Sequence, residues 1–140
     1  MTINIRFPVA LHILTLLSAK GTGLLTSEEI ASSVDTNPVV IRRVMASLRA
    51  SGLVESRPGV KGGWKLKKPP ASITLCKVFE SVREDDLLAM HAHPNPDCPI
   101  GGHIRESLHE MFVDAEKALH NSLLKQTIAD VLADVRTRAK

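Results

Sequence analysis

Apolar residues recur along this chain with a helical period in most segments and with a strand period in one short stretch. Residues 7–19 place Val9, Leu11, Ile13, Leu14, Leu16 and Leu17 on an apolar surface so broad that only a largely buried helix accommodates it. Gly21 and Gly23 end that helix. The next segment, Leu25 to Val34, opens with Thr26 and Ser27 ahead of Glu28 and Glu29, the capping chemistry and first-turn acidity of a helix start. Ile30, Ala31 and Val34 supply its short apolar face. Asp35, Thr36 and Asn37 interrupt, and Pro38 suits the first turn of a third helix, where its missing N–H has no partner to lose.

The third helix is predicted over Asn37 to Ser51. Ile41, Val44, Met45 and Leu48 fall at i, i+3, i+4 and i+7 and fix one face as core. The opposite face holds Val39, Arg42, Arg43, Ala46, Ser47 and Arg49, and Gly52 closes the helix. A short helix, a tight turn and a longer helix with a basic outer face predict a helix-turn-helix. Leu53 to Arg57 and Gly63 to Leu66 then read as two short strands around Pro58, Gly59, Gly62 and Gly63. A hairpin in this place is the wing of a winged helix, with Arg57, Lys61, Lys65, Lys67 and Lys68 supplying charge.

From Ser72 the pattern returns to helix, with Leu75, Val78, Phe79 and Val82 as core positions and the acidic run Glu84 to Asp86 near its end. A break rich in His and Pro spans His91 to Gly102. A long helix is predicted from His103 to Lys125, with Ile104, Leu108, Met111, Ala115, Ala118 or Leu119, and Ser122 recurring at spacings of three and four. At 1.5 Å per residue it would span about 30 Å, and a seam that long beyond a globular head packs most economically against its copy in a second subunit. Thr127 and Asp130 form a capping-box pattern ahead of Ile128, Val131, Leu132 and Val135. The expected architecture is mainly α, with a winged helix-turn-helix head and a two-stranded wing over residues 1–83. A loop over 84–102, expected to be a sensing loop, leads to a dimerisation helix and a terminal helix over 103–140.

Composition sharpens this picture through its asymmetry. The chain has 140 residues and a net charge of +3. Residues 1–75 carry 10 Lys/Arg against 4 Asp/Glu, whereas residues 76–140 carry 8 against 11. The basic half is where a polyanion docks, and with a helix-turn-helix beneath it the expected partner is double-stranded DNA. No stretch approaches the ~20 apolar residues of a membrane span, and the N-terminus lacks the features of a signal peptide, so a cytoplasmic location and no membrane partner are expected. No nucleophile elbow, phosphate loop, HExxH or CxxC occurs, so an enzyme is not expected.

The segments RFPVALHILTLLS, TSEEIA, NPVVIRRVMASLRASGLVES, GVKGGWKLKKPPASITLCKVFESV and NPDCPIG ahead of a long helix together resemble the Rrf-two-type family of bacterial transcription regulators, the IscR, NsrR and CymR type. The resemblance covers nearly the whole chain. It implies a winged-helix head, a dimerisation helix crossing to a partner subunit, and a homodimer that binds a near-palindromic operator, most often as a repressor. The family's reading helix maps on Asn37 to Ser51 and its wing on Arg57 to Lys65, where Trp64 stands at a position more often tyrosine. Cluster-binding members carry three cysteines ahead of the long helix; here that stretch holds Cys98 alone, so no iron-sulfur cluster and no other cofactor is expected.

The residues expected to meet DNA are Thr26, Ser27, Asn37, Val39, Arg42, Arg43, Ser47, Arg57, Lys61, Trp64 and Lys65. Arginine reads guanine bidentately, while hydroxyls and backbone N–H groups at a helix start hold phosphate. Dimerisation is expected through Ile104, Leu108, Met111, Ala115 and Leu119. Cys76 reads as a small core residue. Cys98, ahead of Pro99 near the start of the long helix, reads either as a redox or thiol sensor or as an ordinary loop cysteine. His91, His93, Cys98 and His103 match no zinc spacing, and no metal site is expected. The rival readings for the whole chain are a dimeric protein-interaction module and a metal-binding sensor without thiol chemistry; the effector is not legible.

Overall fold

The computed structural model describes residues 5–140. Helix α1, Arg6–Lys20, runs through the middle of the head and buries Val9, Ala10, Ile13, Leu14 and Leu17. Its breadth of apolar surface is explained by its neighbours, because α2 (Ser27–Val34), α3 (Pro38–Ala50), α4 (Leu75–Val82) and α6 (Ile128–Arg138) all pack on it. Thr15 is the one buried polar residue of the core described, and its hydroxyl donates to the Leu11 carbonyl at 2.6 Å, so the burial leaves no unsatisfied donor. Val44 and Leu48 of α3, Val78 and Val82 of α4 and Ile128 of α6 complete the core.

The helix starts follow the chemistry of their first residues. Thr26 and Glu29 form a reciprocal capping box on α2: the Glu29 amide donates to Thr26 Oγ1 at 3.1 Å and the Thr26 amide donates to Glu29 Oε2 at 2.8 Å. Asn37 Oδ1 accepts from the Val39 amide at 2.9 Å, with Pro38 at the first helical position of α3. The wing is an antiparallel pair, β1 (Val54–Arg57) and β2 (Gly63–Leu66), in the register Val54 to Leu66 and Arg57 to Gly63. Thr127 and Asp130 make the expected capping box at the start of α6.

Both boundaries of the fourth helix differ from the sequence reading: it ends at Val82 with Arg83 extended, so the acidic run Glu84 to Asp86 lies beyond it, and its start is later as well. The chain does not enter a helix at Ser72: Pro70–Ser72 form a single 3-10 turn, Ile73 is extended and fully buried, and α4 starts only after Thr74, whose hydroxyl accepts from the Lys77 amide at 3.1 Å. The extended residues are used for pairing. Leu75 N–H donates to the Gln126 carbonyl at 3.0 Å and Ile128 N–H to the Ile73 carbonyl at 2.9 Å, a bridge that fastens α6 to the head.

The long helix α5, Ile104–Leu123, meets the head near its C-terminal end. There His120 lies edge-on to Phe79 of α4, with centroids 6.1 Å apart, and Leu123 packs against the core. Not one α5 residue is fully buried, although the helix is 20 residues long. No helix of the described residues is long and apolar enough to cross a membrane.

Candidate nucleic-acid interface

Core packing through Ile41, Val44, Met45 and Leu48 turns the other side of α3 outward. Val39, Arg42, Arg43, Ala46, Arg49 and Ala50 are exposed there, and Ser47 is half-buried at the edge of the face. Arg42, Arg43 and Arg49 form no ion pair among the described residues. Their charge is therefore free for an external anion.

The wing is held against the start of α2 by one residue. Trp64 pairs with Leu25 through both backbone bonds, 3.0 and 2.7 Å, and its indole Nε1 donates to Ser27 Oγ at 3.2 Å. Glycine is required beside it, because a Cβ on Gly63 would lie 2.6 Å from the Leu25 carbonyl oxygen and its φ of +150° disfavours any side chain. This sets three surfaces side by side: the N-terminal turn of α2, the outer face of α3 and the hairpin. Arg57 and Lys61 are exposed on the hairpin, whereas Lys65 is half-buried and engaged with Glu55 at 3.2 Å.

The structure thus brings together Ser27, Arg42 and Trp64 with the exposed Val39 and Arg43 on one helix and Arg57 and Lys61 on the adjoining wing. Besides Ser27, Trp64 and Lys65, two more of the expected side chains are already occupied. Thr26 Oγ1 and Asn37 Oδ1 both serve as caps, which leaves them structural work whatever else they touch. The Thr26 amide also holds the Glu29 carboxyl below its ordinary range, so a negative charge stands at the start of α2 and phosphate cannot take that amide. Sequence reasoning did not include Arg49 in the site, although it lies seven residues after Arg42 on the same side of α3. The i, i+7 spacing was the signal that points to it.

The seam of α5 divides. Met111, with 64% of its surface exposed, and Ala115 look outward, while Ile104, Leu108 and Leu119 are half-buried. In the loop before α5, Cys98 is half-buried, and the amides of Gly101 and Ile100 face its sulfur and hold the thiol below its ordinary range. That turn closes only because residue 101 has no side chain: a Cβ would lie 2.6 Å from the Asn95 carbonyl oxygen. Cys76 behaves in the opposite sense, since burial first and Glu80 second push its thiol up. Among the described residues no three His, Cys, Asp or Glu side chains converge as a metal site, so His91, His93, Cys98 and His103 are not gathered into one.

A helix-turn-helix with an attached two-stranded wing and an exposed arginine face defines a winged-helix protein of the DNA-binding kind. The chain belongs to the Rrf2 family, described as iron-dependent transcriptional regulators, which it matches over residues 3–134. It is 43% identical over 131 residues to YwnA of Bacillus subtilis (strain 168), named as an HTH-type transcriptional regulator, with 93% of this chain and 96% of that protein covered. It is 30% identical over 125 residues to the HTH-type transcriptional regulator IscR of Cereibacter sphaeroides, covering 89% of this chain and 80% of that one. Its fold is similar to the crystal structure of a transcriptional regulator from Lactobacillus plantarum, with a TM-score of 0.82, 25% identity, and 96% and 91% of the two chains covered. The protein is a helix-turn-helix transcriptional regulator, in a family of regulators rather than enzymes.

The family description implies iron, and the donor set here does not suit an iron-sulfur cluster. Cys98 is the one cysteine between α4 and α5, and Cys76 sits on α4 with its thiolate disfavoured. A cluster held by thiolates needs three or four of them.

Proposed function

We propose that the protein acts in the cytoplasm as a homodimeric repressor, with α3 of each subunit in the major groove of a near-palindromic operator and the wing against the flanking backbone. The observation that carries this reading is the arginine face of α3, without an ion pair among the described residues, set beside a wing that Trp64 ties to α2. Arg42 and Arg43 supply base contacts, Ser27, Arg57 and Lys61 supply phosphate contacts, and Val39 offers an apolar surface, 42% exposed, to a thymine methyl. Thr26, Asn37, Ser47, Trp64 and Lys65 border the interface and hold its shape.

Dimerisation uses α5. The 20-residue helix is anchored to the head near its C-terminal end and buries no residue fully, and Met111 with Ala115 presents an apolar stripe that nothing among the described residues buries. A second copy covers that stripe under a two-fold axis and carries Ile104, Leu108 and Leu119 to its margins. The retention of the protein on duplex DNA tests the reading as a whole. Binding is expected to fall steeply and linearly in log salt, because each neutralised phosphate releases counterions. Retention that does not change with salt would favour a protein-interaction module instead.

The signal enters through Cys98. Its thiolate is favoured by two amides, and its loop joins the head to α5, so oxidation there changes charge and volume between the reading helices and the dimer axis. Iodoacetamide at neutral pH is expected to alkylate Cys98 ahead of Cys76, as read by peptide mass spectrometry. Mild hydrogen peroxide, which takes the Cys98 thiolate to a sulfenic acid and is itself reduced to water, is expected to lower operator affinity in the native protein and to leave Cys98→Ser unaffected; equal loss in both would remove Cys98 as the sensor.

A further inference from the structure

Between the start of α2, the side of α3 and strand β2 lies an open groove of about 630 Å³. Ile30, Ile41, Met45 and Trp64 make its floor and one wall, and Arg42 and Arg49 stand along its rim. We propose that this groove binds a small organic carboxylate with an aromatic or branched apolar body, and that the bound anion competes with DNA. The competition half of this inference rests on the DNA-binding reading; the binding half does not.

Three features point to that ligand class. The volume is that of a small-molecule site. The floor is apolar where a sugar-phosphate backbone needs only donors and cations, so it suits the burial of a hydrocarbon body rather than of a phosphate. The rim carries two guanidinium groups seven residues apart on one helix, neither matched by a carboxylate among the described residues. A guanidinium fork fits a carboxylate through two parallel N–H bonds. The indole of Trp64 is already fixed by its bond to Ser27, so the apolar wall is in place before a ligand arrives and little side-chain freedom is lost on binding.

The same placement explains a regulatory consequence. The groove separates α3 from the wing, and Arg42 belongs to both the groove and the DNA-facing surface. An anion seated there neutralises Arg42 and fills the space that the DNA backbone crosses between the two elements. Operator is released by direct competition, with no change in the distance between subunits.

Trp64 is the sole tryptophan, so its fluorescence reports on this groove directly. The full-length protein is titrated with 4-phenylbutyrate and with the uncharged 4-phenylbutanamide. The acid is expected to give a saturable change in emission, and the amide to bind about tenfold or more weakly, the order that a charge-assisted hydrogen bond is worth. Arg49→Gln, exposed and outside the core, is expected to erase the difference between acid and amide while leaving the far-UV spectrum unchanged. The same acid concentrations are expected to release a bound operator duplex. No saturable response, or equal binding of acid and amide, overturns the site. A saturable response with DNA still bound overturns the competition alone, and failure to bind DNA in the absence of any acid overturns the DNA reading while the fluorescence still decides the groove.

Discussion

Met111→Asp is expected to leave the protein monomeric, with operator binding lost at concentrations that saturate the native protein. Met111 lies at mid-length on α5 with 64% of its surface exposed, so the substitution removes no packing from the single chain. An aspartate there costs the helix under about 1 kcal/mol in propensity, too little to unfold the head. In a dimer the same carboxylate meets its own copy across the two-fold axis or is buried without a partner, and an uncompensated buried charge costs on the order of 3–5 kcal/mol. Operator binding falls further than this figure suggests, because a monomer engages one half-site and loses the effective concentration that links the second. Sedimentation equilibrium reads the first effect and a mobility-shift titration the second, with circular dichroism showing that the helices remain. A variant that stays dimeric places the interface elsewhere.

Arg42→Ala and Lys61→Ala are expected to weaken DNA binding in different ways. Arg42 projects from α3, which Ile41, Val44 and Met45 anchor on the buried side, so in the proposed complex its fork meets base edges in a fixed register. Its loss is expected to cost about 1–3 kcal/mol on the cognate site and much less on unrelated duplex. Lys61 stands at the tip of the wing, exposed and next to Val60 and Gly62, and its proposed contact is to phosphate. Its loss is expected to weaken every duplex about equally and to reduce the salt slope by about one unit. Parallel titrations on operator and scrambled DNA at several salt concentrations separate the two patterns. Equal affinities for native and both variants would remove α3 and the wing as the interface.

The helix-turn-helix was legible because its signals are local. The i, i+3, i+4, i+7 spacing from Ile41 to Leu48 fixed the buried face, and Pro38 and Gly52 marked both ends of α3. The wing was legible from its glycines. What escaped the sequence joins residues far apart in the chain. Ile73 and Ile128 pair through the backbone, which is why the chain stays extended after Ser72 and why α6 returns to α1, and no periodicity within either segment announces it. The bond from Trp64 to Ser27 spans 37 positions and makes a groove of residues that were read separately as reading helix and wing. Arg49 was passed over although its i, i+7 spacing from Arg42 signalled a shared side of α3; its place in the groove shows only once Trp64 supplies the opposite wall. Along the seam of α5 exposure varies, with Met111 and Ala115 exposed and Ile104, Leu108 and Leu119 half-buried, a difference that no helical period announces.

Selection of bound sequences from a random duplex pool by the native protein asks for the DNA partner and the two-fold assembly together. An inverted repeat whose half-site centres lie one helical turn, roughly 34 Å, or a whole multiple of it apart is expected to be enriched. Enrichment of single, unpaired half-sites, or no enrichment over the starting pool, would contradict that expectation.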